Sequence, residues 1–220
     1  MGQTFNPAEI DAIYRVIAQR RDMRHFIGGE VPERQLRRLL TAAHQAPSVG
    51  LMQPWRFVRI TQTALREQLY ALVQQERQRT AEALGERESE FLRLKVEGIR
   101  DCAELLVIAL KDQREQHIFG RRTLPEMDLA SAACAIQNLW LAARAEGMGM
   151  GWVSLFEPDD VKALLGMPEG SHPIGILCLG PVEKFYDKPM LEMEQWAQRC
   201  PLDELIMENG WSPAEPGLKR

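Results

Sequence analysis

Apolar residues recur at helical spacing near the start of the chain, because side chains three and four positions apart share one face of a helix. Asn6, followed by Pro7 and then by Glu9, is typical of a capped helix start. The apolar stripe of this helix consists of Ile10, Ile13, Tyr14 and Ile17. A second helix is expected from about Pro32 to just before Pro47.

Four short apolar segments predict strands, at residues 55–60, 105–110, 150–156 and 174–179. The run at 105–110 is apolar at every position, which indicates a strand buried on both faces. A long helix is expected from Asp128, as its cap, to Glu146, where Gly147 ends it. This helix carries small and apolar residues nearly all round, so we expect it to be buried on every side and to contribute to a dimer interface.

Residues 63–101 are helical in pattern but unusually charged. They form either a solvated helix pair or, over residues 75–101 and together with a loop at 113–127, a lid over a site. Helices alternating with about four strands predict one α/β sandwich that spans residues 1–220 as a single domain.

Composition narrows the function classes. A net charge of −4, with both signs spread along the chain, gives no reason to expect binding to nucleic acid or to an acidic membrane. The four cysteines are far apart and form no metal-ligand pattern, so we expect reduced thiols, no metal and a cytoplasmic location. They are Cys102, Cys134, Cys178 and Cys200. The apolar runs are too short to span a bilayer.

The segment RRDMR carries the most chemistry. If the chain is extended here, Arg20, Asp22 and Arg24 project to one side, since strands have a period of two. Two guanidiniums flanking a carboxylate suit a phosphate or another oxyanion, and they would keep the carboxylate ionised. The alternative is a solvated helix C-terminus, where arginine is also favoured.

Two further segments are candidates for a binding site. PSVGLMQPWRF places Ser48 in an irregular loop before a strand, although an ordinary helix–strand connection would look the same. EGMGMGWVSLF has alternating glycines that would let a planar ligand approach the backbone near Ser154, and a glycine-rich start of a buried strand is the alternative. Arg199 is a possible fourth phosphate contact.

Four segments, taken in their order along the chain, resemble the flavin-dependent nitroreductase superfamily. They are RRDMRHF, AAHQAPSVGLMQPWRF, GRRTLPEMD with the following helix through GWVSLF, and LCLGPVEKFY. Within it they are most similar to the 5,6-dimethylbenzimidazole synthase family, over nearly the whole chain. The resemblance implies a three-layer sandwich, in which helices flank a mixed, mostly antiparallel sheet. It also implies a homodimer with FMN at the subunit interface.

The resemblance implies roles for individual residues. Asp22 and Ser154 would be catalytic, beside the isoalloxazine, and Ser48 would reach the flavin of the partner subunit. The remaining FMN contacts implied are Arg20, Arg21, Met23, Arg24, Gly151, Trp152 and Arg199. Ala197 stands where many nitroreductases have a second basic residue, so phosphate binding would depend on the N-terminal arginines.

The implied reaction uses reduced FMN as substrate and O2 as co-substrate, with no metal, and yields 5,6-dimethylbenzimidazole and erythrose 4-phosphate. A separate NAD(P)H-dependent flavin reductase would supply the reduced FMN. Two alternatives remain open at this point. One is a conventional NAD(P)H-dependent nitroreductase or flavin reductase that keeps its FMN intact, and the other is a flavin-binding protein without turnover.

Overall fold

The computed structural model describes residues 4–211, which divide into two compact units between Asp187 and Lys188. The helices of the first unit are α1 Pro7–Gln19, α2 Glu33–His44, α3 Thr63–Leu84, α4 Glu88–Arg93, α5 Met127–Ala145 and α6 Pro158–Leu164. Its strands are β1 Trp55–Arg59, β2 Glu104–Leu110, β3 Gly149–Val153 and β4 His172–Gly180. The second unit contains the short helix α7, Met190–Met193.

The four strands form one sheet in the order β1-β2-β4-β3, and every neighbouring pair is antiparallel. A parallel bridge between Asp22 and Met150 extends the sheet beyond β3. The predicted fold class, with a mixed and mostly antiparallel central sheet flanked by helices, is confirmed.

Both faces of the sheet are covered, which explains the uninterrupted apolar run in β2. Leu106 and Ile108 pack into a core that contains residues of α2 and α5. Leu105 and Val107 point to the opposite face, into a second core with residues of α3 and α6. A strand with helices on both sides has no solvent face, so alternation is lost.

Helix α5 differs from its prediction in two respects. It is buried along one face only in this chain, since Leu129 is 45% exposed and Cys134 is also exposed. The helix begins at Met127 with Glu126 as its N-cap, so Asp128 is not the cap. Asp128 lies inside the first turn, where its buried side chain pairs with two arginines.

Helix α1 has the expected capping box between Asn6 and Glu9, but none of its residues is buried. Ile13, Tyr14 and Ile17 are 47%, 70% and 49% exposed. Within residues 4–211, these three side chains of the apolar stripe are therefore largely uncovered.

The two predicted lid segments differ in how they are held. Ala81, Phe91 and Leu94 in the first segment are buried, and Arg77 bonds the carbonyls of Leu92 and Leu94. Residues 113–127 include no buried side chain. Segments with few buried contacts open most easily, so 113–127 is the better lid candidate. The lid and the single domain over 1–220 stay predictions, and residues 1–3 and 212–220 lie outside the described chain.

Candidate functional site

Asp22 lies in extended backbone directly after α1, where the chain runs beside β3. The amide of Met23 donates to the carbonyl of Met150 at 2.9 Å, and this bond holds the segment against the strand. Gly151 makes the approach possible, because a Cβ built at this glycine would lie 2.2 Å from the Met23 carbonyl oxygen. Of the two alternatives left open for RRDMR, the extended one is observed.

The carboxylate of Asp22 is held on both oxygens. The amide of Trp152 donates to Oδ1 at 3.0 Å, and Nη2 of Arg24 donates to Oδ2 at 2.5 Å. Nη2 of Arg24 also donates to the carbonyl of Trp152 at 2.8 Å. Three residues thus form a closed ring of hydrogen bonds between the N-terminal segment and β3.

Burial raises the pKa of the Asp22 carboxyl, and Arg24, the Trp152 amide and Arg20 oppose the rise without cancelling it. The arginines alone therefore do not set the pKa of this carboxyl, because removal from bulk water outweighs their charge. The group is recessed but still reachable, with 42% of its side chain exposed. A reachable acid with a raised pKa is suited to proton transfer.

Arg24 is buried, with only 8% of the residue exposed. Its Nε and Nη1 atoms are buried and have no hydrogen-bond partner in the described part of the chain. Nη2 is engaged with Asp22 and Trp152. This arginine offers little surface to a phosphate and bonds Asp22, and its assignment to FMN stays a prediction.

Arg21 points away from Asp22, as strand periodicity requires. Its guanidinium donates to four backbone carbonyls, those of Ala18, Arg20, Tyr186 and Asp187. These bonds engage all three nitrogens of the guanidinium, and the assignment of Arg21 to FMN stays a prediction. Arg20 differs, because its guanidinium lies 4.5 Å from the centre of the Trp140 ring and its charge acts on Asp22.

Ser154 follows β3 directly and is exposed. The strand ends at Val153 rather than continuing to residue 156 as predicted. Trp152 is anchored by its indole N–H, which donates to the carbonyl of Ile174 at 3.2 Å. The end of β3 thus brings the Ser154 hydroxyl within two residues of the amide that binds Asp22.

Ser48 lies in a loop with unusual backbone. Leu51 and Gln53 both have positive φ angles, 53° and 50°, which non-glycine residues seldom adopt. The Ser48 hydroxyl accepts the Gln53 amide at 3.0 Å and so stabilises the turn. Because it accepts there, its own O–H stays available for donation. Backbone strain of this kind is concentrated at functional sites.

The Ser48 loop is covered by residues 117–122. A Cβ at Gly50 would lie 2.8 Å from the Phe119 carbonyl oxygen, and the amide of Val49 donates to the Ser131 hydroxyl at 3.0 Å. Phe119 itself is 83% exposed. The covering loop therefore packs on the Ser48 loop through the backbone and one edge of Phe119, while most of that side chain is exposed.

Asp128 ties down the covering loop. Its Oδ2 accepts from Nε of Arg114 at 2.8 Å and from Nε of Arg121 at 3.2 Å. Nη1 of Arg114 also donates to the carbonyls of Lys111 and Gly170. GRRTLPEMD contains Arg121 and Asp128, but the motif alone does not predict their ion pair, and Arg114 lies outside it.

Arg199 belongs to the second unit and is 76% exposed along its side chain, with its Nε 3.7 Å from a Glu192 oxygen. Its assignment to a phosphate stays a prediction. Among residues 4–211, no group of three or more histidine, cysteine, aspartate or glutamate side chains could hold a metal. No helix in the same range is long and apolar enough to cross a membrane.

Comparison with known proteins adds the family context. Residues 17–181 match the family model described as Nitroreductase family. A 5,6-dimethylbenzimidazole synthase of Rhodospirillum rubrum is 37% identical over 205 residues, which are 91% of this chain and 96% of the relative.

Two solved structures share the fold. A BluB-like flavoprotein from Clostridium difficile 630 superposes with a TM-score of 0.68 at 19% identity, covering 89% of this chain and 97% of its own. An iodotyrosine deiodinase bound to FMN and 3-iodo-L-tyrosine has a TM-score of 0.70 at 20% identity, and the match covers 90% of this chain and 100% of the deiodinase chain.

Proposed function

The chain belongs to the nitroreductase family, and we propose that within it the protein is a 5,6-dimethylbenzimidazole synthase. It fragments reduced FMN to 5,6-dimethylbenzimidazole, the lower ligand of vitamin B12, and erythrose 4-phosphate. The observation that carries the proposal is the Asp22 carboxylate, which is fixed on both oxygens, has a raised pKa and remains accessible. The relative of that name covers nearly the whole chain.

The residues of the site fit FMN in their chemistry. Arg20 carries charge for a phosphate, Ser48 has a hydroxyl that can donate, and Ser154 directly follows β3, the strand beside which Asp22 lies. Arg199, in the second unit, stays a separate prediction for the phosphate. Met23, Gly151 and Trp152 form the backbone surface between them. FMN appears in the name of a protein with the same fold.

Asp22 acts as the proton acceptor. Its carboxylate is oriented by Trp152 and Arg24, so its lone pairs need not be reorganised before a proton transfers. Ser154 donates or accepts a hydrogen bond close by. Reduced FMN supplies the carbon framework and electrons when bound, and O2 is the oxidant.

The covering loop at 117–122 excludes water from the reaction. Asp128 holds its arginine, Arg121, while Phe119 is left exposed above the Ser48 loop. A reaction that breaks up its substrate benefits from a closed site, because exclusion of solvent limits side reactions.

The protein acts as a homodimer. Tyr14 on α1 and Leu129 on α5 belong to apolar faces that this chain leaves exposed, and such faces mark interaction surfaces. In this proposal Ser48 and its loop reach the flavin of the partner subunit. The protein works in the cytoplasm, where its four cysteines stay reduced and an NAD(P)H-dependent flavin reductase supplies reduced FMN.

One alternative also has support. The family model and the shared fold are equally compatible with an NAD(P)H-dependent nitroreductase that keeps its FMN. The two functions differ in the fate of the flavin. FMN is therefore reduced without oxygen in the presence of the protein, air is admitted, and the small molecules are separated by chromatography. The synthase yields 5,6-dimethylbenzimidazole, whereas full return of oxidised FMN contradicts the proposal.

A further inference from the structure

The segment after β4 folds back over the RRDMR segment and contacts it at several points. The amide of Ile27 donates to the Pro181 carbonyl at 3.2 Å, and Nε of Arg21 donates to the Tyr186 carbonyl at 3.1 Å. Nη2 of Arg21 reaches the Asp187 carbonyl at 3.0 Å. Asp22 and Arg24 thus lie in a segment held by β3 on one side and by residues 181–187 on the other.

Tyr186 makes the contact nearest to Asp22. Its hydroxyl accepts the backbone amide of Arg24 at 3.2 Å, and the same oxygen lies 2.6 Å from Nδ1 of His25. The two rings meet edge to face, with 6.0 Å between their centres. A hydroxyl can accept one hydrogen bond and engage a second partner at the same time, so the contact with His25 restrains the orientation of the hydroxyl that receives the Arg24 amide.

Arg24 is the residue through which this contact can affect chemistry. Its backbone is held by Tyr186, and its side chain bonds the Asp22 carboxylate and the Trp152 carbonyl. A buried guanidinium has few alternative positions, so the placement of the backbone decides where its Nη2 lies. A shift of a few tenths of an ångström in the Arg24 backbone would therefore move the guanidinium that bonds the Asp22 carboxylate.

We propose that Tyr186 is a positioning residue for Asp22, acting through the backbone amide of Arg24. The inference rests on the proposed function, in which Asp22 is the proton acceptor. It concerns a residue outside the RRDMR and GWVS motifs, separated from Arg24 by 162 positions in the chain.

The test compares Tyr186→Phe with Tyr70→Phe. Each variant loses one phenol oxygen, but Tyr70 lies on α3, where its ring packs against Arg100. For Tyr186→Phe we expect kcat for product formation to fall about three- to tenfold, the range for loss of one hydrogen bond, while KM for reduced FMN stays within about twofold. Tyr70→Phe is expected to match the wild type in both constants.

A second readout does not depend on turnover. The titration of Asp22 is followed through its carboxyl ¹³C chemical shift in the full-length wild type and in both variants. The charges facing Asp22 are Arg24 and Arg20. Burial raises the pKa of Asp22 and Arg24 lowers it. Because an Arg24 that is held less firmly lowers this pKa less, the pKa of Asp22 is expected to increase in Tyr186→Phe and to stay unchanged in Tyr70→Phe. This readout remains valid even if the wild type makes no benzimidazole.

The proposal is overturned if Asp22 titrates alike in all three proteins. It is also overturned if Tyr186→Phe loses FMN affinity and kcat in proportion to a lowered melting temperature, since that pattern is a general loss of folding. If Tyr186→Phe does not fold, Arg21→Lys takes its place. It weakens the ties to the Tyr186 and Asp187 carbonyls, and the same rise in the pKa of Asp22 is required of it.

Discussion

The Oδ1 atom of Asp22 accepts the backbone amide of Trp152 at 3.0 Å, although 130 residues separate the two in the chain. This bond joins the segment after α1 to the end of β3. It also places the Asp22 carboxylate against the amide of Trp152, which comes two residues before Ser154 in the chain.

Replacing Asp22 by Asn keeps the shape of the side chain and removes its ability to accept a proton. We expect benzimidazole formation to fall by about 100-fold or more, the usual contribution of a general base, with binding of FMN within about threefold. Asp160→Asn on α6 alters an exposed carboxylate and is the matched control. Unchanged product yield in Asp22→Asn would contradict the assigned role.

The raised pKa of Asp22 predicts the direction of the pH dependence. A proton acceptor must be ionised, so activity is lost as the pH falls through the pKa of the folded protein. Because that pKa is raised in the ligand-free protein, the acidic limb of kcat/KM is expected above the ordinary range of an aspartate. The limb should be absent from the residual activity of Asp22→Asn, and a limb at the ordinary value in the wild type would refute the prediction.

Gly151→Ala tests the close approach of the two segments. The new Cβ would lie 2.2 Å from the Met23 carbonyl and 3.1 Å from Nη1 of Arg24, so the RRDMR segment must move. We expect a loss of about 1–3 kcal/mol in the free energy of unfolding, together with weaker FMN binding. Gly210→Ala, where a Cβ meets nothing within 4 Å, is the control. Equal stability of the two variants by thermal denaturation would disprove the packing argument.

Ser154→Ala separates chemistry from stability. The side chain is exposed, so its removal should change the free energy of unfolding by less than about 0.5 kcal/mol. Product formation is expected to fall by about tenfold or more, as for loss of a hydrogen bond made in the transition state. Ser154→Thr keeps a hydroxyl and should recover part of the rate. Full activity in Ser154→Ala would remove this residue from the mechanism.

Asp128→Asn is expected to release the covering loop. The substitution removes the charge that holds Arg114 and Arg121, at a cost of about 1.5–3 kcal/mol for each charged hydrogen bond. Trypsin should then cleave after Arg121 or Arg122 several times faster than in the wild type, since cleavage requires local opening. Asp160→Asn serves again as control. Identical cleavage rates would show that Asp128 does not restrain the loop.

The strand periodicity of RRDMR was enough to predict which side chains share a side. It placed Asp22 with Arg24 and sent Arg21 the other way, and both placements are observed. It could not distinguish the tasks of the arginines. Arg21 finds its partners at residues 186 and 187, and Arg24 becomes buried against β3, through contacts that only the folded chain creates.

The burial of α5 and the role of Asp128 also depend on residues distant in the chain, which the local pattern does not identify. Apolar residues all round α5 indicated burial on every side, but the pattern does not say whether this chain or another supplies the cover. Asp128 looked like a helix cap because aspartate favours that position. Its ion pairs instead place it inside the first turn.

The most direct test of the central claim is a single turnover with equal amounts of protein and reduced FMN. Air is admitted, and the visible absorption of oxidised flavin is followed while 5,6-dimethylbenzimidazole is quantified. The account predicts that the flavin absorption does not return and that one benzimidazole forms for each FMN lost, whereas Asp22→Asn returns oxidised FMN. Full recovery of oxidised FMN with the wild type, without benzimidazole, would contradict the account.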